Sequence, residues 1–117
     1  MSKEYRLYNT DRLHEIGDGD AGFIKEVIEV FLQNLPANAN SLVQACMDQE
    51  WQSVYFIAHK MKASIDLMGI EKLMQEIRTI EQWAKSNTNF DQIAEKVNLV
   101  NEIIHKTAAL MKEDFNL

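Results

Sequence analysis

Cysteine, proline and glycine are scarce in this 117-residue sequence, at one, one and four copies. Cys46 alone cannot close an internal disulfide, so a reducing compartment is the simplest setting. It reads as a small apolar core residue. So few glycines and prolines leave out the turns that an all-β chain with many hairpins requires. Also missing is any window approaching the ~18 apolar residues of a membrane span. The segment Met1 to Asn9 mixes Lys3, Glu4 and Arg6 with aromatics and has no secretory-type apolar stretch. The expectation is a soluble cytoplasmic protein with no membrane contact. Basic charge is short too: 12 Lys and Arg face 18 Asp and Glu, for a net charge of −6. Neutralising nucleic-acid phosphates needs a net basic face, so nucleic acid is not an expected partner.

What is present favours helices. The chain is 46% hydrophobic and 26% charged, a globular composition in which Leu, Ile, Met, Ala, Glu, Lys and Gln are well represented. This length fits one domain with one core, so residues 1–117 are read as a single unit. A short helix is expected over about 10–16, with Leu13 and Ile16 inward and Gly17 ending it at a positive φ. Asp20 reads as the next N-cap. From Ala21, Phe23, Ile24, Val27, Ile28, Phe31, Leu32 and Leu35 recur at steps of three and four. Beyond Pro36, Ala39, Leu42, Val43, Cys46 and Met47 continue the spacing, consistent with one bent helix or two in series. Further helices are expected from Trp51 to Met68, from Ile70 to Lys85 after a tight connection at Gly69, and onward from Asn89, whose spacing to Gln92 fits a capping box. The expected fold class is all-α: an up-down four-helix bundle over about 20–114, with a short additional N-terminal helix.

One helix stands out. At about 100° per residue, Val54, Ile57, Ala58, Met61, Ile65 and Met68 fall on one side of the Trp51 to Met68 segment. The opposite side is led by His59, Ala63 and Asp66, with Phe56 and Leu67 beside them and Lys60 and Lys62 to left and right. A solvated face would be mostly Glu, Lys, Gln and Arg, whereas this one gathers small and apolar residues around a histidine. It reads as a docking surface, unless Phe56 and Leu67 pack against another helix and leave His59 incidental. Imidazole, which ordinarily titrates near ~6.5, offers a nitrogen lone pair at neutral pH without a dedicated base. Lys60 and Lys62 would disfavour the imidazolium and help neutralise a phosphoryl group on the ring.

The run Ala58-His59-Lys60-Met61-Lys62-Ala63-Ser64-Ile65-Asp66-Leu67-Met68-Gly69 resembles the signature of histidine-containing phosphotransfer (HPt) domains. That family's pattern is Ala-His, a variable residue, an apolar residue, Lys, usually Gly, a small residue, and a Gly ten positions after the histidine. His59, Lys62 and Gly69 match in type and spacing, Met61 takes the apolar place, and Phe31, Pro36 and Glu81 have familiar counterparts. The resemblance covers roughly Leu13 to Phe90. It implies that His59 accepts a phosphoryl group from the aspartyl phosphate of a response-regulator receiver domain and passes it to another receiver. It also implies electrostatic support from Lys62 and Lys60, a partner surface of Phe56, Ala63, Asp66 and Leu67, and a divalent metal on the receiver only. Ala63 stands where most members have Gly, and Asp66 would repel a phosphoryl group unless its side chain turns aside. The nucleotide-binding glycine signals of a kinase are missing, so a phosphotransfer intermediate is expected, not an enzyme with its own kinase activity. A stand-alone monomer is the expectation, served by receivers and by a hybrid histidine kinase.

Two other readings compete. The same face could bind a receiver or another partner without chemistry, as a pseudo-HPt adaptor. A metal-binding bundle is suggested by Glu102-Ile103-Ile104-His105, a Glu-x-x-His element. Such sites need a second element and further inward carboxylates, for which Asp11 through His14 is the nearest candidate. No Cys-His zinc spacing occurs, and no metal ligand or cofactor site is assigned to this chain. Trp51 and Trp83 read as core or helix-end packing.

Overall fold

The computed structural model describes residues 7–117. Residues 1–6, part of the segment read as having no secretory stretch, lie outside the described residues. Five helices follow one another: α1 (Asp11–Ile16), α2 (Ala21–Met47), α3 (Trp51–Leu67), α4 (Glu71–Ser86) and α5 (Phe90–Phe115). There are no strands among the described residues. Three-residue connections join α2 to α3, α3 to α4 and α4 to α5, too short for anything but antiparallel neighbours. The helices close a ring in which α2 packs on α3, α3 on α4, α4 on α5 and α5 back on α2. This is the expected all-α bundle.

The core is the union of the four apolar stripes. Ile28, Leu42, Val54, Met61, Ile77 and Val100 are among the side chains with no solvent exposure. Burying each Val, Leu, Ile or Met contributes roughly 1.5–3 kcal/mol, and this supplies the drive that short isolated helices lack. The tightest helix pairing is α3 against α4, the pair that carries the site described below. Pro36 neither breaks nor restarts α2, which runs unbroken through it for 27 residues. At ~1.5 Å per residue that is about 40 Å, which matches the longest extent of the molecule, 42 Å. One bent or straight rod is thus favoured over two helices in series.

The helix ends share one device. After each helix a residue takes the left-handed conformation: Asp18, Gln49, Gly69, Asn87 and Asn116 all have φ between 53° and 61°. The next residue, or its neighbour, returns an amide to a carbonyl five residues back, as in Glu50 N to Ala45 O at 2.9 Å and Ile70 N to Ile65 O at 3.1 Å. This is the Schellman arrangement, which satisfies carbonyls that the helix leaves open. Only at Gly69 is it combined with a space requirement. A Cβ there would run into the Asn9 side chain, whose backbone amide donates to Met68 O at 2.9 Å.

Several expectations are corrected. Gly17 does not take a positive φ; it sits at −93°, and the reversal falls on Asp18 and Gly19 instead. Gly17 is required because a Cβ would strike the Phe23 ring. Ile16 and Met47, expected inward, are 60% and 71% exposed. Each is the last residue of its helix, where no neighbouring element covers it. Asn89 makes no capping box: it is left-handed at φ 57°, and its side chain caps nothing. A capping side chain needs the extended backbone that Asp20 adopts. Asp20 does cap α2, accepting from Gly22 N at 2.9 Å and Phe23 N at 3.3 Å.

Candidate functional site

His59 and Lys62 lie one turn apart on α3, and the turn at Gly69 folds α4 back so that Glu81 faces them both. The Glu81 carboxylate is divided between the two. His59 Nδ1 lies 2.5 Å from Oε2, and Lys62 Nζ lies 2.9 Å from Oε1. Exposure differs sharply across the group. The His59 side chain is 58% exposed while that of Glu81 is 14% exposed.

Partial burial pushes the Glu81 carboxyl up, but hydrogen bonds from His59 and Lys62 and the Lys62 charge outweigh it, holding the group below the ordinary value of 4.5. Glu81 is therefore ionised at neutral pH and can only accept hydrogen bonds. The proton of the short contact must then reside on His59 Nδ1. Nδ1 is thus the donor, and in the neutral ring the lone pair lies on Nε2. The arrangement is an anchored imidazole with one nitrogen presented for nucleophilic attack and a carboxylate behind it to balance positive charge on the ring.

Around this trio the sequence-derived face divides. Ala63 is exposed one turn after His59, so no side chain beyond a methyl stands over that approach. Phe56 is 57% exposed and meets the edge of Tyr55 at 5.2 Å between ring centroids. Leu67 turns toward α2, where it lines an apolar groove of about 390 Å³ with Phe23, Val27, Val30 and Phe31. The alternative in which Phe56 and Leu67 both pack on other helices is thus half met, by Leu67 alone. Lys60 is exposed and pairs with no acid among the described residues.

Asp66 is turned aside. Its carboxylate receives both nitrogens of Arg78, at 2.6 Å and 3.2 Å, and Arg78 also donates to Met74 O at 2.9 Å. The hydrogen bond to Asp66 raises the guanidinium further above its ordinary value. A forked pair of this kind cancels the negative charge that would otherwise oppose a phosphoryl group two turns away.

Sequence reasoning had placed Glu81 only as a familiar counterpart, and it passed over Tyr55 and Arg78. A signal for Glu81 was present. In a helical hairpin turning at Gly69, residues about equally far to either side face each other, and His59 and Glu81 stand ten and twelve positions from it. The other histidines stand apart: His105 Nε2 contacts Asn40 Oδ1 at 3.0 Å, and Glu102 pairs with Lys106 at 3.4 Å on an exposed face. Among the described residues no group of three or more His, Cys, Asp or Glu side chains is arranged to hold a metal ion. Trp51 stacks on Phe90 at 4.2 Å, closing the α3 and α5 starts against each other.

The chain matches the family model described as Hpt domain over residues 26–110, from the first turns of α2 to near the end of α5. It belongs to the Hpt-domain family. No curated protein and no solved structure matches the chain. Hpt domains serve histidine phosphotransfer in phosphorelays, work as intermediates without catalytic activity of their own, and interact with receiver domains of response regulators. No helix among the described residues is long and apolar enough to cross a membrane.

Proposed function

We propose that this chain is a histidine phosphotransfer protein of a multistep phosphorelay, a single Hpt-like domain acting as a monomer in the cytoplasm. His59 Nε2 attacks the phosphorus of a receiver's aspartyl phosphate. The N–P bond forms, the acyl P–O bond breaks, and the aspartate carboxylate leaves with the electron pair. His59 keeps its Nδ1 proton, so the ring becomes a phospho-imidazolium whose charge Glu81 balances. Transfer to a second receiver runs the same step in reverse, the N–P electrons returning to the ring. A hybrid histidine kinase would serve as donor through its own receiver. Lys62, held over the site by Glu81, and Lys60, exposed beside it, offset the charge of the phosphoryl oxygens. Exposed Phe56 and Ala63, with Leu67 at the edge of the apolar groove and Asp66 neutralised by Arg78, form the partner face. The divalent metal of the exchange is assigned to the receiver.

The observation that carries this reading is the 2.5 Å contact of His59 Nδ1 with a carboxylate, which engages Nδ1 and makes Nε2 the ring nitrogen for attack. The test is to mix the purified protein with a phosphorylated receiver and follow the label on wild type and His59→Gln. Acid-labile, base-stable label on wild type alone is expected. No label on wild type would favour the non-catalytic adaptor, and label persisting on the variant would place the chemistry on another residue.

A further inference from the structure

Tyr55 precedes His59 by one turn on α3, and its ring lies beside the imidazole with 5.9 Å between centroids and 23° between planes. Phe56 meets Tyr55 edge to face at 5.2 Å and 63°. The ring also packs on the core cluster along one side. Tyr55 is thus held from two directions with a π face toward His59. A neutral imidazole gains little from that. A cationic one gains more, because an aromatic face attracts a positive charge within about 6 Å of its centroid.

The phosphotransfer step makes that distinction matter. Resting on the function proposed above, the form of His59 that attacks has a free Nε2 pair and no ring charge, and the product ring carries a charge, since the N–P bond uses that pair while the Nδ1 proton stays. We propose that Tyr55 is a positioning residue for the phosphorylated state: its ring face stabilises the phospho-imidazolium and so sets how far phosphoryl transfer to this protein proceeds. Glu81 supplies the larger part of that stabilisation through direct contact, and Lys62 opposes it in part. Tyr55 adds a contribution that acts on the charged ring and hardly at all on the neutral one.

The expected size is about two- to five-fold in the transfer equilibrium, from the range for exposed cation–π pairs. The experiment measures the equilibrium constant for phosphoryl exchange between a receiver and the full chain, for wild type, Tyr55→Phe, Tyr55→Leu and Phe56→Ala. Tyr55→Phe keeps the π face and should match wild type. Tyr55→Leu keeps an apolar side chain but removes the face, and should shift the equilibrium toward the receiver about two- to five-fold. Its affinity for the unphosphorylated receiver should stay as in wild type. Phe56→Ala, at an exposed position that cannot compromise the core, releases the Tyr55 ring and should give a shift in the same direction. Equal equilibrium constants for wild type, Tyr55→Leu and Phe56→Ala would overturn the role of Tyr55 while leaving phosphotransfer itself intact. Loss with Tyr55→Phe as large as with Tyr55→Leu would assign the effect to the hydroxyl and overturn it too. A wild type that takes no phosphoryl group would overturn the parent reading and this one with it.

Discussion

Replacing Glu81 by Ala removes the carboxylate that touches both His59 and Lys62. Two contacts go at once, the 2.5 Å link to Nδ1 and the 2.9 Å link to Lys62 Nζ. A hydrogen bond to a charged group is worth about 1.5–3 kcal/mol, and each ~1.4 kcal/mol is a factor of ten in rate. Because His59 is more than half exposed, water replaces part of the loss, and the low end applies. Transfer from a phosphorylated receiver should slow by about ten-fold. Glu81→Gln keeps an acceptor for the Nδ1 proton but no charge, and should fall between Ala and wild type. Rapid-quench measurement of phosphoryl transfer gives the rates, and circular dichroism checks the fold. The pH dependence of stability has a definite sign. Glu81 titrates lower in the folded chain than its ordinary 4.5, so its contribution is fully present above that value. It is lost as acid takes the pH below it. Glu81→Ala should therefore flatten the acid limb of a urea-midpoint profile below about pH 4.5 and change nothing in its shape near neutrality. A variant transferring phosphoryl at the wild-type rate would refute the assignment of the Nδ1 proton and with it the preparation of Nε2.

Gly69→Ala places a methyl in a left-handed position at φ 61° that is also blocked by Asn9. The conformation alone costs about 1–2 kcal/mol, so urea unfolding should show at least that loss, with an additional share from displaced Asn9. An unchanged midpoint would mean the turn is free to rearrange. Asp66→Asn leaves Arg78 without its forked partner, yet the pair is near 40% exposed on both sides. Its loss should cost only about 0.2–1 kcal/mol in stability, and phosphoryl transfer should stay within a factor of a few. A collapse of transfer in Asp66→Asn would show that Asp66 acts on the chemistry directly and not through Arg78.

Much of this was legible in the sequence because helix periodicity is a local property. The stripes that run from Ile24 to Leu42, from Val54 to Met68 and from Ile93 to Met111 needed only counting at three and four, and they form the core, with Val27, Leu32 and Ile57 half-buried at its margin. His59, Lys62 and Gly69 were legible for the same reason, since they share one helix and one turn. Glu81 was harder. Its relation to His59 spans 22 residues, and only the register of a folded hairpin makes them neighbours. Asp66 looked like an obstacle because its partner, Arg78, is likewise across the turn. The errors at Gly17 and Asn89 have a common cause: residue type suggests a turn, but which residue of the turn takes the positive φ depends on what packs there. At Gly17 the deciding neighbour is Phe23. The family match is shifted relative to the span the motif suggested, covering residues 26–110 where Leu13 to Phe90 was expected. The last helix has no motif of its own, and its tie to the rest lies in its buried stripe and in contacts such as Phe90 on Trp51.

His59, Lys62, Glu81, Asp66, Arg78 and Tyr55 all belong to the single hairpin of α3 and α4, whereas the apolar groove beside them takes seven of its ten lining residues from α2. The imidazole and carboxylate pair is thus built without α2, which supplies most of the groove. Substitutions at Val27 or Val30 reshape that groove and leave the carboxylate and imidazole pair in place. On the function proposed above, changes on α2 would alter what the groove accommodates while the residues assigned to phosphoryl transfer stay on the α3 and α4 hairpin.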